Sequence, residues 1–403
     1  MLCQFTVKNF RCFRDEITLD MQATSITENE GSLIVDADGE EFLPLSVIYG
    51  PNSAGKSTVL SALYSLCAKI MRPICAVVCD DKSCIDRSFC KEHSINMPIE
   101  PFAFSSESEN NPTEYELFFR TETKEYQYQI NILRSKVVFE ALYQKSILGN
   151  RYSTVFVRKE SNCDLRGTIK KYDVSGISDN LPLLSFLIIT HSRNAVLKDI
   201  FTWLDANIDF RNYGLPREEL NIAVNIDKKP IILSMLKEMD IDIDDYRIEE
   251  SEKRIEVFTS HMVDGKNAEL TLSEESSGTI KIFGLLPYLA NSITNGTTLV
   301  IDELDAKLHP FLLKYIIELY NNPKINKNGA QLIFTSHDLT TMSSEYFRRD
   351  EIWYVAKTSE GAAKLYSLVE FARKDAKYDK QYLEGKYGAC PYLQRIINWE
   401  DVK

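Results

Sequence analysis

No stretch of this chain is apolar for long enough to resemble a bilayer span. The longest apolar run, around Leu181 to Thr190, is interrupted by Pro182 and Ser185 and falls short of the ~20 residues a membrane helix needs. Met1 to Phe10 lacks the basic stretch and apolar core of a secretory leader and alternates like a strand instead. The expected compartment is therefore the cytoplasm. Disulfide framework spacing is missing too, because nine cysteines is an odd number and none forms a C-x-x-C pair. Five lie between Cys67 and Cys90, followed by His93, which leaves a metal cluster and a set of reduced thiols both open. Positive charge is scarce: the formal net charge is -12. That argues against binding nucleic acid through a broadly basic surface and leaves a local basic patch open. There is no sustained heptad and no internal repeat, which excludes long coiled-coil arms. The remaining composition, 44% apolar and 26% charged over 403 residues, describes a folded chain with a large core.

Periodicity divides the chain. Cys3 to Val7 and Glu16 to Met21 alternate as an antiparallel pair, and Leu45 to Tyr49 is a buried strand ending at a glycine. Ser57 to Met71 has helical spacing. Tyr115 to Phe119, Tyr126 to Leu133, Val137 to Tyr143 and Thr154 to Val157 read as an antiparallel sheet. Between about Asp179 and Ile241 the pattern is helical, as in Ala195 to Ala206 and Ile231 to Glu238, with a break at Gly214 to Arg217. Strands return at Tyr246 to Glu250, Ile255 to Ser260 and Glu269 to Leu272, and helix then alternates with buried strand. The expected division is 1–178, a first lobe with antiparallel strands; 179–245, a helical insertion; and 246–403, a second α/β lobe.

Four segments carry chemistry. Gly50-Pro51-Asn52-Ser53-Ala54-Gly55-Lys56-Ser57 matches G-x-x-x-x-G-K-S between a buried strand and a helix, the context a phosphate loop requires. Backbone N–H groups from Asn52 to Thr58 would wrap the phosphates, Lys56 would neutralise the β and γ groups, and the Ser57 hydroxyl would ligate Mg²⁺. Leu299 to Ile301 delivers Asp302 and Glu303 to a sheet edge, Asp302 for the metal and Glu303 to polarise a water. Alone, two acids after a strand could be a solvated strand exit; the phosphate loop changes that reading. Gln331 to Ser336 is a buried strand that delivers His337 to the same edge as a γ-phosphate contact. Ser276 and Gly278 open a helix at Ile280 to Leu289 and suit an anion, although a serine there is also an ordinary helix cap.

Phosphate loop, serine-glycine helix start, acidic strand and histidine, in this order, resemble the ATP-binding-cassette ATPases, in particular the SMC and RecF branch. Asn9-Phe10-Arg11-Cys12-Phe13 is similar to the N-F-R-x-F opening of that branch, where the arginine lies near the nucleotide. Asp302-Glu303-Leu304-Asp305-Ala306 resembles the D-E-x-D-A run of SMC proteins. Glu275 to Thr279, Leu308-His309-Pro310 and Tyr382 to Ala389 are similar to the RloA-type and abortive-infection ATPases of bacteria. The chain departs from the pattern at Ser277 and Thr279, which stand for Gly and Gln of S-G-G-Q, and at His309, where SMC proteins carry an aspartate. No glutamine lies between Arg72 and Phe118 to serve as a Q-loop.

The resemblance implies an α/β ABC ATPase head with a mixed phosphate-loop sheet, an antiparallel β subdomain and a helical insertion. It implies ATP and Mg²⁺ as cofactors, and a homodimer or higher oligomer in which Ser276 and Gly278 of one protomer reach the nucleotide of the other. It also implies anti-phage defence with a separate effector such as a Toprim-like or HNH nuclease. A RecF-like ATPase binding DNA directly and a stand-alone nuclease are the alternatives.

Overall fold

The computed structural model describes residues 1–78, 99–211, 228–251, 254–371, 373 and 376–390. Strands β1 (Leu2–Lys8) and β2 (Ile17–Asp20) form the antiparallel pair that alternation predicts. A short ribbon, β3 (Ile34–Val35) with β4 (Glu41–Phe42), leads to β5 (Leu45–Tyr49), buried along its whole length. Helix α1 (Lys56–Val78) outruns the predicted Ser57 to Met71. It also corrects the reading of the longest apolar run: α1 is long and apolar enough to cross a membrane, yet 83% of its most apolar window is buried, as in a core helix.

The predicted antiparallel strands are β6 (Thr113–Arg120), β7 (Lys124–Leu133), β8 (Lys136–Ser146) and β9 (Ser153–Lys159), followed by β10 (Asn162–Leu165). They extend the opening pair into one sheet of order β10-β9-β8-β7-β6-β1-β2. Helices α2 (Leu183–Thr190) and α3 (Ala195–Ala206) share a core with α1 and this sheet. Helix α2 starts at Pro182 without a side-chain cap of its own. Glu140 of β8 supplies one, accepting from the N–H groups of Leu183 at 2.6 Å and Leu184 at 2.9 Å and satisfying donors the first turn leaves free. Full burial pushes the Glu140 pKa above its usual value, while these bonds oppose the shift.

Inside the stretch expected to be helical, β11 (Ile208–Arg211) is a strand; so short an element leaves little periodic trace. Next come α4 (Lys229–Glu238) and the antiparallel trio β12 (Asp245–Ser251), β13 (Arg254–Val263) and β14 (Lys266–Thr271). The remaining elements are α5 (Ser277–Asn295), β15 (Thr298–Ile301), α6 (Pro310–Asn321), β16 (Gln331–Thr335), β17 (Ile352–Lys357), β18 (Ala363–Ser367) and α7 (Tyr378–Leu383). The second sheet has the order β11-β15-β16-β5-β17-β18 and is parallel except at β18. The carboxyl ends of β5, β15 and β16 therefore meet at one edge, with β16 between the other two.

This sheet separates two cores. Ile48 of β5 packs with α1 to α3, while Leu45, Val47 and Tyr49 pack with α4, α5 and α6. Gln331 staples the two sheets together: its side chain accepts from the Leu2 N–H at 2.8 Å and donates to the Leu2 carbonyl at 3.0 Å. Cys67 and Cys75 are buried. Cys79, Cys84, Cys90 and His93 lie outside the described residues, as does the break at Gly214 to Arg217. Among the described residues no group of three or more His, Cys, Asp or Glu could hold a metal.

Candidate nucleotide site

The turn after β5 admits little but glycine at two points. Gly50 has φ 152° and a Cβ there would lie 2.4 Å from the Val355 carbonyl oxygen; Gly55 has φ 117° and its Cβ would lie 2.5 Å from the Cys12 sulfur. Both geometries let the backbone double back so that N–H groups line a concave loop. Lys56 is only 7% exposed. Its ammonium donates to the carbonyls of Gly50 at 2.8 Å and Pro51 at 3.3 Å, spanning the loop it would share with a phosphate. Burial lowers the Lys56 pKa, and the fields of Asp302, Glu303 and Asp305 pull it back up. Asn52, Ser53 and Ser57 are exposed, Ala54 is buried and Thr58 half-buried.

The acids follow β15 directly, and one side chain fixes both. Thr335, buried at the end of β16, donates to Asp302 Oδ1 at 2.5 Å and accepts from the Glu303 N–H at 2.7 Å. Glu303 turns outward with φ 51° and is exposed, so its carboxylate faces solvent while its backbone is anchored. His337 is also exposed, and its N–H donates to Asp305 Oδ2 at 3.1 Å. The structure thus brings His337 and the acidic loop together. Thr335 and Asp305 have no assigned role in the sequence reading; their signal is a hydroxyl residue closing a buried strand and a third acid two residues beyond the pair.

A cleft of about 370 Å³ opens beside Gly50, Pro51 and Asn52 and is also lined by His337, Tyr382 and Cys390. The start of the late Tyr382 to Ala389 run, Tyr382 and Leu383, therefore lines the same cleft as the phosphate loop. It is held by packing: the ring of Tyr354 stacks on Tyr382 at 5.6 Å and on Tyr387 at 5.2 Å. The Tyr382 hydroxyl donates to the Ala389 carbonyl at 3.0 Å, and burial pushes that phenol up to about 12.

Ser276 caps α5, accepting from the Thr279 N–H at 3.1 Å, and both Ser276 and Ser277 are exposed. Gly278 lies against the loop after the acids: a Cβ there would come within 3.1 Å of the Lys307 carbonyl oxygen. Lys281, one turn on, donates to the carbonyls of Glu303 at 3.0 Å, Leu304 at 2.8 Å and Ala306 at 2.5 Å. Lys281 therefore ties helix α5 to the acidic loop. Among the described residues, the cleft beside the phosphate loop is lined by none from the Ser276 turn.

Arg11 pairs with Glu100 at 2.8 Å and stands over the Phe10 ring. Its neighbour Cys12 is the residue that faces Gly55; burial raises that thiol, with a hydrogen bond to Thr58 opposing. His309 caps α6 by accepting from the Phe311 N–H at 3.3 Å.

A largely parallel sheet of this order carries the G-x-x-x-x-G-K-S turn after β5, an acid pair after β15 and a histidine beyond the strand between them, the arrangement of a P-loop nucleotide-binding domain. Residues 45–343 match the family described as "AAA domain, putative AbiEii toxin, Type IV TA system", and the chain belongs to that family. No curated protein is a detectable relative. Among solved structures, the chain is similar to an Smc head bound to the C-winged helix domain of ScpA, at 12% identity over 91% of this chain and 97% of that one, TM-score 0.39. A Pyrococcus furiosus Smc head with an extended coiled coil, bound to the C-terminal domain of ScpA, gives 12%, 91%, 96% and 0.37. The recombination mediator protein RecF with ATPrS gives 12%, 91%, 98% and 0.30.

Proposed function

We propose that the chain binds ATP with Mg²⁺ and hydrolyses it between two protomers, and that the resulting change of state controls a separate effector in anti-phage defence. The grip of Thr335 on both Asp302 and Glu303, one strand away from the phosphate loop, carries this reading. It holds the Asp302 carboxylate directly and anchors the Glu303 backbone, leaving the Glu303 carboxylate exposed, as a metal ligand and a water-polarising base require.

In this reading Asn52 to Thr58 hold the phosphates, Lys56 neutralises them and His337 contacts the γ-phosphate. Ser57 and Asp302 offer hard oxygen ligands, and so few protein donors suit Mg²⁺, which keeps waters and takes substrate phosphates as its other ligands. Bound there, the ion would neutralise charge on the phosphates. Arg11 reaches the nucleotide only by leaving Glu100, an exposed pair that is easily exchanged.

The outward-facing Ser276 and the position of Gly278 support their use by a second copy. ATP then bridges two protomers, and loss of the γ-phosphate releases them, which is a two-state switch. The family's description, with its AbiEii toxin and Type IV TA system, supports the defence setting. A Toprim-like or HNH nuclease is the effector class proposed, and the cytoplasm the compartment.

Magnesium-dependent ATP turnover by the purified chain, abolished in Lys56→Ala, tests the enzyme. Mass spectrometry of Glu303→Gln protein purified from its own operon with ATP tests the rest. A stoichiometric nuclease supports effector control; a bare homodimer that binds DNA in a salt-dependent manner supports direct action on DNA instead.

A further inference from the structure

Lys281 stands one turn into α5, is 7% exposed, and points its ammonium at the carbonyls of Glu303, Leu304 and Ala306. A lysine so deep in a fold is uncommon unless its charge is engaged. An ammonium has three donors and no acceptor, and a carbonyl oxygen can only accept. The match gathers three carbonyls of one loop around a single point.

The same loop is gripped from its other side by β16. Thr335 accepts from the Glu303 N–H at 2.7 Å through its hydroxyl and from the Leu304 N–H at 3.2 Å through its carbonyl. These N–H groups thus bond to the sheet, while the carbonyls bond to α5. Between the two anchors Glu303 has φ 51° and Lys307 φ 62°, a left-handed backbone that such residues keep only where their surroundings over-determine it. The first turn of α5 packs on the far end of the loop as well, where a Cβ at Gly278 would lie 3.1 Å from the Lys307 carbonyl oxygen. Ser276, which caps that turn, is exposed.

We infer that Lys281 is a positioning residue for Glu303, converting engagement of the Ser276 turn by a second protomer into the orientation of the Glu303 carboxylate. The inference rests on the proposed roles of Ser276 and Glu303. Thr335 is fixed within the sheet, whereas Lys281 rides on the helix that a second protomer would grip. A shift of α5 moves the carbonyl side of the loop against a stationary N–H side, so the peptide units that carry Glu303 must turn. Without the ammonium, α5 responds to the partner and the loop does not. The phosphate loop is held by separate contacts and keeps its ATP.

The test is a double-mutant cycle in ATP turnover, at saturating ATP and one fixed protein concentration, on wild type, Lys281→Met, Ser276→Ala and the double variant. Binding of a fluorescent ATP analogue and thermal melting are measured on each. Methionine keeps the apolar stem and removes all three donors. Lys281→Met should lower turnover roughly 30-fold, as a small displacement of a reacting group can, and leave analogue binding unchanged. Ser276→Ala should lower turnover about tenfold when Lys281 is present and less than about twofold in Lys281→Met, because residues acting in series are not additive. Lys281→Gln, with two donors on a shorter arm, carries the same cycle if Lys281→Met does not fold, and should weaken the dependence on Ser276. Equal losses from Ser276→Ala in both backgrounds would overturn the relay while leaving the use of Ser276 standing, and loss of analogue binding in Lys281→Met would overturn it too. A Ser276→Ala variant as active as wild type would instead remove the proposed use of Ser276, and the relay with it.

Discussion

Around the phosphate loop Lys56 is buried and Asp302 half-buried, each tied to its own neighbours, whereas at the start of α5 the serines face outward. Lys56 is held by the carbonyls of its own loop and Asp302 by Thr335. Ser276 is exposed, and its hydroxyl is committed to Thr279 of its own helix. The first half of the site is arranged before any ligand arrives, so its residues act through preorganised electrostatics. The second half is a presented surface, which becomes useful when another body is brought to it. Lys281 joins the halves within one protomer, so a partner that grips the Ser276 turn also pulls on the loop carrying Glu303.

Substitutions should separate the halves. The largest effect is expected from Lys56→Ala, which removes the cation at the phosphates: turnover should fall on the order of 10²–10³-fold, and ATP binding, read by calorimetry, should be lost with it. Thr335→Val keeps the shape of the strand end but frees both acids. One hydrogen bond to a charged group is worth about 1.5–3 kcal/mol, so kcat should drop roughly 10- to 100-fold while ATP binding persists. Ser276→Ala removes a helix cap worth about 0.5–2 kcal/mol; turnover at low protein concentration should fall, and binding by the monomer should not change. If Ser276→Ala abolished binding by the monomer, the division into two halves would be wrong.

A site remote from both halves supplies the smallest effect and a control. Glu140 has its pKa raised by burial, so the folded chain binds this proton more tightly than the unfolded chain. Stability from this group is therefore lost as pH rises above the ordinary carboxylate value of about 4.5, until the folded pKa is passed. Melting of wild type relative to Glu140→Gln should decline through that window, with ATP binding per folded molecule unchanged.

The residues legible in the sequence are those whose role goes with a local transition. Gly50 to Ser57 sits where a buried strand meets a helix, and Asp302 and Glu303 end a strand too apolar to be exposed. Strands β6 to β9 were readable because one face is buried and the other wet. Thr335, Asp305 and Cys12 were not, because each acts on a segment far along the chain: Thr335 reaches Asp302 across 33 residues, and Cys12 faces Gly55 across the sheet junction. The same holds for Tyr382, whose position beside the phosphate loop depends on the stack with Tyr354. Strand β11 was hidden for a different reason, since its short run lies in a stretch of helical pattern and owes its form to pairing with β15.

The central claim is that ATP joins two copies through the outward half of each. Sedimentation of Glu303→Gln with ATP and Mg²⁺ tests it most directly, because this variant should bind the nucleotide without cleaving it. The account predicts a dimer that persists with ATP and disappears with ADP or on adding Ser276→Arg. A monomer at saturating ATP, or a dimer indifferent to both nucleotide and Ser276, would contradict it.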